Sequence, residues 1–403
     1  MKPTARAVRI AFAVLAFAGV TALGLIAAPD GGKDGASEPA ASPLGEWLGD
    51  ARSDTGFARA LEPVPLEFPR DHGPHPDYRV EWWYFTGNLT GMDAGEYGYQ
   101  LTLFRFGLAP GEADADANPW RTHQVWMGHL AISDIDAATH HHAERLSRGG
   151  PPNAPERALA GARTPPLAVW LDDWSITSRA DEGPAPGSAD AGPFPLVLKA
   201  SDGGYGLELL LSPGKPLVLQ GEAGLSRKSA EPGNASYYYS YTRLPTRGHI
   251  HMDGRRIEVS GQSWMDREWS TSALADDQAG WDWFSLQLDD GRDLMFYRMR
   301  RKDGGTDPAS GGVLVARDGT STPISARDAL LTPLHHWTSD HSGRRYPVEW
   351  RLRLPAHDLD VTVRARFPDQ EMRTRVTYWE GAVAVQGTHN GKGYLEMTGY
   401  AGR

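Results

Sequence analysis

The chain has 403 residues, enough for two domains of ordinary size, and carries a formal net charge of −10. An acidic chain lacks the basic surface that nucleic acids and anionic lipid headgroups require, which excludes both as partners bound through charge. The absence of cysteine excludes disulfides, thiolate catalysis and thiolate metal sites. The 14 tryptophans, 14 tyrosines, 46 glycines and 30 prolines favour strands and turns over helices.

The N-terminal segment has the pattern of a secretory signal. Basic residues precede an uncharged apolar run from Ile10 to Ala28. The run is also long enough to span a bilayer, and large residues occupy positions where a cleavage site needs small ones. Two alternatives remain open: a signal peptide over residues 1–28 that is removed, or a membrane anchor formed by residues 10–28. Either alternative predicts an exported chain, periplasmic or anchored with its bulk facing the periplasm.

The rest of the chain divides into a polar linker and a long alternating region. Residues 29–65 have no hydrophobic period, which predicts a flexible linker. From Leu66 onward apolar and polar residues alternate, as in 205–211, 348–354 and 359–367, a pattern typical of antiparallel strands. Hairpin signals separate such segments at Asp202-Gly203-Gly204, Asp253-Gly254, Asp290-Gly291 and Asn390-Gly391. The predicted fold class is therefore all-β.

Two similar aromatic hairpins are predicted about 200 residues apart, which indicates an internal repeat. The run Trp82-Trp83-Tyr84-Phe85 leads through a turn to an apolar strand that ends at Arg105. The run Trp281-Asp282-Trp283-Phe284 leads in the same way to Arg298. The repeat predicts two domains of related fold. About ten strands in each would favour closed barrels over open sheets, because closure removes exposed edges.

We place the boundary between these domains near Leu244 to Gly248. The N-terminal domain then covers residues 66–246 and the C-terminal domain covers residues 247–403. The sequence leaves open whether a binding pocket lies within the C-terminal barrel or between the two barrels.

Familiar catalytic and metal-binding motifs are missing from the sequence. We find no glycine-rich phosphate loop, zinc-protease motif, calcium loop or serine nucleophile elbow. The run His140-His141-His142 is predicted to be a solvated face rather than a metal site. His249 and His251 share one strand face, a spacing that suits two metal ligands, but the sequence offers no third ligand nearby. We therefore expect no metal and no cofactor.

The strongest candidate site is the cluster from Ser263 to Trp269. On a strand continuing from Ile257, Trp264 and Asp266 share a face, so that a carboxyl group lies beside an indole. Aromatic residues that could surround it fall on other strand faces: Tyr237, Tyr239, Tyr241, Trp281 and Trp283. Such residues would form an apolar cage with few polar groups, as in many ligand pockets. A carboxyl group buried there shifts toward its neutral, proton-donating form.

Two interpretations of Asp266 remain open at this point. It is either a general acid or a structural carboxylate bound to backbone or to an arginine such as Arg298. His129 shares a predicted strand face with apolar residues, and Glu81 is an acid among aromatic residues; both also suit a structural role. The candidate catalytic residues are Asp266, Trp264, Tyr239 and Tyr237. The candidate ligand-binding residues are Trp82, Trp83, His129, Trp281, Trp283 and Tyr297.

Four motifs in order resemble the AttH-like family, which includes the carotenoid 1,2-hydratase known as hydroxyneurosporene synthase. They are Val80–Tyr84, Gly128–Asp134, Trp264–Trp269 and Glu396–Tyr400. The resemblance implies a pair of lipocalin-like barrels from about Leu66 to the C-terminus. It also implies that Asp266 could protonate a terminal alkene of an acyclic isoprenoid, that aromatic rings stabilise the resulting cation, and that water captures it, without a cofactor.

The chain departs from the hydratase branch of that family beside the acid. That branch has a Tyr-Trp-Asp-His run where this chain has Trp264-Met265-Asp266-Arg267, and His and Trp near Tyr237 and Tyr239. Two functions are therefore predicted. The first is an exported lipocalin-like carrier of a hydrophobic isoprenoid or lipid, working with an export system. The second is a hydratase-like enzyme with Asp266 as its acid.

Overall fold

The computed structural model describes residues 56–111, 122–150, 158–179, 192–271 and 274–402. The predicted signal or anchor over 1–28, and most of the predicted linker over 29–65, lie outside the described residues. Within the described part, no helix is long and apolar enough to cross a membrane. The helices of this part are short 3₁₀ turns, Arg70–His72 and Pro355–His357.

The first antiparallel sheet contains 13 of the described strands. In chain order they are β1 (Val80–Gly91), β2 (Glu96–Gly107), β3 (Gln124–Asp134), β4 (Thr139–Arg148), β5 (Ala160–Arg163), β6 (Ala168–Leu171), β7 (Trp174–Ser178), β8 (Leu196–Asp202), β9 (Tyr205–Leu211), β10 (Val218–Leu219), β11 (Leu225–Arg227), β12 (Ala235–Met252) and β13 (Arg255–Ser270). Their order is β4-β3-β2-β1-β13-β12-β9-β8-β7-β6-β5, with β10 and β11 paired to β12. Because β6 also contacts β2, β3 and β4 from the other end of this order, the sheet curls around its own apolar core.

The second antiparallel sheet contains 10 of the described strands. They are β14 (Gln278–Leu288), β15 (Asp293–Arg301), β16 (Gly311–Val315), β17 (Ser321–Ser325), β18 (Leu330–Thr338), β19 (Arg345–Leu354), β20 (Leu359–Ala365), β21 (Glu371–Met372), β22 (Tyr378–Gly387) and β23 (Gly391–Met397). Their order is β17-β16-β15-β14-β23-β22-β20-β19-β18, with β21 paired to β22. Phe284, Trp350, Val363 and Trp379 belong to its separate core. The prediction of an all-β fold with two lipocalin-like antiparallel barrels is confirmed, and the barrels take the form of two curled antiparallel sheets.

The two aromatic runs form equivalent hairpins, one at the centre of each sheet. β1 pairs with β2 so that Glu81 lies opposite Arg105, and β14 pairs with β15 so that Asp282 lies opposite Arg298. In each hairpin the carboxyl group is fully buried and forms an ion pair with that arginine. Each acid points into the core of its own sheet. The tryptophan that follows it therefore points to the opposite face.

The chain passes from the first sheet to the second between Ser270 and Gln278. The predicted boundary at 246/247 falls instead inside β12. β12 and β13 pair on both sides of a tight turn at Asp253-Gly254, where both residues have positive φ. This hairpin inserts between β1 and β9, so the chain stays in the first sheet until β13 ends. The division between the sheets therefore lies later in the chain than the predicted domain boundary.

Asp293, at the start of β15, connects the two sheets. Its buried carboxylate accepts hydrogen bonds from Thr242 Oγ1 at 2.8 Å and Arg243 Nη2 at 2.6 Å, both on β12. Lys215 Nζ, in the segment before β10, lies 2.7 Å from the same carboxylate. Three donors from the first sheet's part of the chain thus converge on one acid of the second sheet.

Candidate functional site

A cavity of about 150 Å³ lies between the two sheets. The first sheet contributes Trp82, Tyr84, Phe104 and His129, among others. The second sheet contributes Trp281, Trp283, Tyr297 and Tyr378, among others. The structure thereby decides between the two positions that the sequence left open: this cavity is formed between the sheets, and each sheet supplies only part of its wall.

Asp266 on β13 is the centre of a hydrogen-bond cluster in this wall. Its Oδ1 accepts hydrogen bonds from the Ser240 hydroxyl at 2.5 Å and from Trp264 Nε1 at 2.7 Å. Its Oδ2 accepts one from the Tyr238 hydroxyl at 2.6 Å. Tyr238 in turn accepts a hydrogen bond from Trp283 Nε1 at 3.2 Å. The acid on the first sheet is therefore linked through one phenol to the second sheet.

Burial gives Asp266 a proton affinity that suits acid chemistry. Desolvation raises the pKa of this carboxyl to about 7, although its three hydrogen-bond donors act in the opposite direction. The indole N–H of Trp264 can only donate, and Ser240 accepts a bond from Gln220 and so donates to Oδ1. With Oδ1 occupied by two donors, the proton of the neutral acid belongs on Oδ2. Oδ2 is also the oxygen that faces Tyr238.

Glu268, two residues further along β13, has a different environment. Lys228 Nζ lies 2.9 Å from its carboxylate, and the Ser236 hydroxyl donates to the same oxygen. The ammonium group also lies over the rings of Tyr238 and Tyr297, at 5.2 and 4.7 Å from their centroids. Although burial acts to lower the pKa of Lys228, the Glu268 carboxylate raises it. Glu268 therefore has a cationic partner, which Asp266 lacks.

Two more carboxyl groups line the cavity from the second sheet. Glu380 on β22 and Glu396 on β23 lie directly opposite each other. Trp281 Nε1 donates to Glu396 at 2.7 Å, whereas Glu380 has only the Tyr84 and Tyr378 hydroxyl groups nearby and makes no hydrogen bond of normal geometry with them. Burial raises the pKa of Glu396 to about 7, and burial together with the Glu396 charge raises that of Glu380. Both walls of the cavity thus contain carboxyl groups that hold protons near neutral pH.

The remaining wall is largely aromatic. Tyr84 packs edge-on against Trp283, with ring centroids 5.2 Å apart, and Trp264 approaches the same ring edge-on at 6.3 Å. Trp82 packs against Phe104 at 6.3 Å. The faces of such rings attract positive charge. The cavity is therefore suited to an apolar ligand that develops a cationic centre.

Most of the predicted site residues come together here. Those that line the cavity are Trp82, His129, Asp266, Trp281, Trp283 and Tyr297. Trp264 lies behind Asp266 and contacts it through Nε1. His129 on β3 bonds through Nδ1 to the Tyr378 hydroxyl at 2.8 Å, which joins the first sheet to the second at the edge of the cavity.

Tyr237 and Tyr239 lie on the other face of β12, contrary to the prediction that they flank Asp266. The Tyr239 hydroxyl bonds to His72 Nδ1 at 2.7 Å, and the Tyr237 hydroxyl donates to a backbone carbonyl at 3.0 Å. β12 pairs with β13 so that Ser240 lies opposite Asp266. The even-numbered residues of this stretch therefore face the cavity, and the odd-numbered ones face the core of the first sheet.

Trp83 also belongs to that core and does not line the cavity, which corrects its predicted role. Its Nε1 donates to the His72 carbonyl at 2.9 Å, and the Arg267 guanidinium lies 4.0 Å above its ring. Arg267 forms a buried ion pair with Glu81, and Met265 is part of the same core. Two of the departures from the hydratase branch therefore point away from the cavity.

The histidine run is packed rather than solvated, which corrects the prediction for it. His140 Nδ1 bonds to the Ser133 hydroxyl at 2.9 Å, and Nε2 lies 3.4 Å from Met372 Sδ of the second sheet. Burial lowers the pKa of His140 to about 3, so the ring is neutral. His141 stacks on Tyr205 with centroids 3.7 Å apart. Among the described residues, no group of three or more histidines, aspartates and glutamates is arranged to hold a metal ion.

Several polar residues of the site were missed by the sequence reasoning: Lys228, Tyr238, Ser240, Glu268 and Glu380. Tyr238 and Ser240 had a usable signal, because they alternate with the tyrosines that were chosen. Glu380 had no such signal in the sequence. The residue that lies opposite it, Glu396, is determined by the length of the loop between β22 and β23.

The fold and the site define a lipocalin-like β-protein in which two curled sheets enclose an aromatic cavity lined by a buried carboxyl group whose pKa is raised. The chain belongs to the AttH-like family, whose model matches residues 59–400. This match confirms the family resemblance seen in the sequence motifs.

Solved structures agree with this assignment. An AttH protein from Nitrosomonas europaea is 33% identical, covers 86% of this chain and 100% of its own, and superposes with a TM-score of 0.73. Kievitone hydratase from Nectria haematococca is 14% identical, with coverage of 86% and 98% and a TM-score of 0.60. CghA, solved with Sch210972, is 14% identical, with coverage of 86% and 97% and a TM-score of 0.50. At 14% identity the last two show the fold alone. No curated protein sequence matches the chain.

Proposed function

We propose that this protein adds water to a carbon–carbon double bond of an apolar, isoprenoid-type ligand, with Asp266 as the general acid. The observation that carries the proposal is the Asp266 carboxyl group itself. It is 3% exposed, its pKa is raised by burial to about 7, and it lines an aromatic cavity. A neutral acid in such a place is able to donate a proton to a substrate.

The reaction follows from the positions of the groups. Asp266 Oδ2 transfers its proton to one alkene carbon, and a tertiary cation forms on the other. The ring faces of Trp82, Trp281 and Trp283 stabilise that cation, an interaction worth about 2 kcal/mol or more in a desolvated site. A water molecule then forms a C–O bond to the cation and releases a proton. Asp266 is left ionised and regains its proton before the next turnover.

The size of the cavity bears on the substrate. Its volume of about 150 Å³ is below the roughly 300–1,000 Å³ of pockets that enclose drug-sized ligands. The proposal therefore concerns a short isoprenoid, or the reacting end of a longer one, rather than a fully enclosed carotenoid. That a structural relative is named a hydratase supports the reaction class by analogy of fold.

An apolar-ligand carrier is the second candidate, because an aromatic wall binds such ligands without chemistry. In this version the chain is exported through its N-terminal segment and holds an isoprenoid or lipid outside the cytoplasm. Solvent extraction of the purified protein, followed by mass spectrometry, distinguishes the two. A carrier releases its ligand unchanged, whereas an enzyme releases ligand that has gained water.

The test of the enzymatic proposal uses geraniol, farnesol and squalene as probes in H₂¹⁸O. We expect at least one probe to gain a labelled hydroxyl group. Asp266→Asn should lower that rate by about 100-fold or more, the contribution usual for general acid catalysis. Asp289→Asn, at an exposed position of the loop after β14, is the matched control and should leave the rate unchanged. Full turnover by Asp266→Asn would exclude Asp266 as the acid.

A further inference from the structure

Glu380 and Glu396 form a pair of carboxyl groups in the cavity wall opposite Asp266. They are cross-strand partners on β22 and β23, and residues in that relation have Cβ atoms roughly 4.5–5.5 Å apart. Both line the cavity. Glu380 is 1% exposed, and the hydroxyl groups of Tyr84 and Tyr378 are its polar neighbours, although neither of its carboxyl oxygens makes a hydrogen bond of normal geometry. A buried acid that faces a cavity with only weak partners is able to interact with a polar group of a ligand.

Neither glutamate of this pair forms an ion pair among the described residues. The groups that face it from the first sheet are Tyr84 on β1 and, further away, Asp266 and Glu268 on β13. Those that face it from the second sheet are Trp281, Tyr378 and Tyr394. The cation that lines the same cavity, Lys228, lies 2.9 Å from the Glu268 carboxylate and is therefore paired with that acid instead.

Two adjacent buried carboxyl groups that have no cation of their own do not both ionise near neutral pH, so at least one of them holds a proton. Such a pair titrates as one unit. Burial raises the pKa values of both groups; the Glu396 charge raises that of Glu380 further, and the Asp266 and Glu268 charges raise that of Glu396 further. Near neutral pH the pair therefore contains one acid and one carboxylate, and it can take up a second proton. A structural role explains this arrangement poorly, because buried carboxyl groups without a cation destabilise a fold.

Tyr84 relates the pair to Asp266. It lies opposite Asp266 in the pairing of β1 with β13, and its hydroxyl has no hydrogen-bond partner of normal geometry. The charges of Glu380, Glu396 and Asp266 all raise the pKa of this phenol, which places Tyr84 between the two acidic sites. A ligand in the cavity thus has Asp266 on one wall and the glutamate pair on the other.

We propose that the Glu380–Glu396 pair is the general base that takes the proton from the attacking water. This inference rests on the proposed hydration. The proton of Asp266 forms the new C–H bond as the π bond breaks. The water oxygen forms the new C–O bond, and its O–H bond breaks as the carboxylate of the pair takes the proton. The product alcohol leaves, and the extra proton returns to Asp266 directly or through solvent, so no other reactant is needed.

The first test separates the two proton transfers with isotopes, using farnesol as the probe in D₂¹⁸O. Reversible protonation by Asp266 introduces deuterium, whereas only completed water capture introduces ¹⁸O. We expect Glu380→Gln and Glu396→Gln to lower ¹⁸O incorporation by about 100-fold or more while deuterium exchange continues. Glu349→Gln, which replaces a glutamate paired with Arg364 on the neighbouring strands of the same sheet, should change neither rate.

The outcomes of this test are distinct. Undiminished ¹⁸O incorporation by both glutamate variants, or equal loss of both isotopes in folded variants, would overturn the role of the pair. Undiminished incorporation of both isotopes by Asp266→Asn would instead overturn the proposed function and leave the pair to be judged by the second test.

The second test needs no substrate and no folded glutamate variant. Asp266→Asn removes the other protonated acid of the cavity. Infrared difference spectra of this variant between acidic and alkaline pH should retain a protonated-carboxyl band that titrates near neutral pH. Labelling with ¹³C-glutamate should shift that band, which assigns it to glutamate. If no glutamate band titrates above about pH 6, the pair holds no shared proton near neutral pH and the inference is wrong.

Discussion

At the residue scale, the cavity chemistry depends on how hydrogen-bond donors are divided between the two oxygens of Asp266. Ser240 and Trp264 donate to Oδ1, which leaves Oδ2 with Tyr238 alone. Glu268 has the same chemistry but an ammonium partner, Lys228, at 2.9 Å. Two acids spaced two residues apart on one strand therefore have different electrostatic environments, and the difference arises from their neighbours.

Removing the Tyr238 hydroxyl should raise the pKa of Asp266 above about 7. The phenol donates to Oδ2 and thereby favours the ionised form. Hydrogen bonds to charged groups contribute roughly 1.5–3 kcal/mol, so the titration midpoint in Tyr238→Phe should rise by about one pH unit or more. Infrared titration of protein labelled with ¹³C-aspartate measures it. Tyr237→Phe, on the opposite face of β12, is the matched control; an equal shift there would contradict the assignment.

Asp266 should also give the folding stability a specific pH dependence. Its pKa is about 7 in the folded chain, against an ordinary value of 3.8. Between these values the folded protein holds a proton that the unfolded chain has released, so stability falls as pH rises. Relative to Asp266→Asn, the free energy of unfolding should fall by about 1.4 kcal/mol per pH unit in this window and level off above pH 7. Urea titrations at several pH values measure this difference, and a flat difference would contradict a neutral Asp266.

At the element scale, the site depends on which face of each strand meets the cavity and on the length of the hairpin loops. The alternation in β12 is evident in the sequence, but alternation alone does not say which face meets the cavity. The pairing of β22 with β23 is harder to predict. A two-residue turn at Asn390-Gly391 would place Glu380 opposite Ala401, whereas the longer loop that forms places it opposite Glu396. The shorter turn does occur at Asp253-Gly254, where Met252 pairs with Arg255.

Close packing between elements of the two sheets can be tested at Gly98. This residue lies on β2, and an added Cβ would lie 2.6 Å from the Tyr394 hydroxyl on β23 and 3.1 Å from the Ala382 Cβ on β22. Gly98→Ala should therefore force the strands apart and lower the free energy of unfolding by about 1–3 kcal/mol. Chemical denaturation measures it. Gly305→Ala, in an exposed turn, should have little effect; an equal loss there would show that the contact is not the cause.

At the scale of the whole molecule, the two sheets have separate cores but share one cavity. Ion pairs also join them, including Glu96 with Arg366 and Lys392, and Glu144 with Arg375. The two central hairpins have the same geometry, and each therefore places a tryptophan of its sheet at the cavity. The site therefore exists only when both sheets are folded and packed together.

Asp293 is the strongest test of this packing. Its buried carboxylate is the common partner of Thr242, Arg243 and Lys215 across the sheet interface. Removing one partner of a buried charge cluster usually costs about 3–5 kcal/mol, and we expect a loss of that size for Asp293→Asn. Urea unfolding followed by tryptophan fluorescence measures it. Asp289→Asn, at an exposed position of the loop between β14 and β15, should change stability by less than about 0.5 kcal/mol; similar losses in both would mean that Asp293 does not join the sheets.

The sequence by itself determined the strand content, the repeated aromatic hairpin and the family, and it singled out Asp266, which lines the cavity. These features are local or periodic, and alternation at period 2 or a motif of a few residues is sufficient to recognise them. It also identified Trp82, Trp281, Trp283 and Tyr297 as aromatic residues of strands, although the same reasoning selected Trp83, Tyr237 and Tyr239, which belong to the core of the first sheet.

Only the tertiary structure decided which strand faces of the two sheets meet at the cavity. Those faces determine which residues form the site. It placed Tyr238 rather than Tyr239 beside Asp266, paired Glu380 with Glu396, and put the cavity between the sheets. Each of these depends on strand register or on packing between residues far apart in the chain. A shift of one residue exchanges the two faces of a strand without changing the local pattern, so the same sequence pattern is compatible with either arrangement until the sheets are assembled.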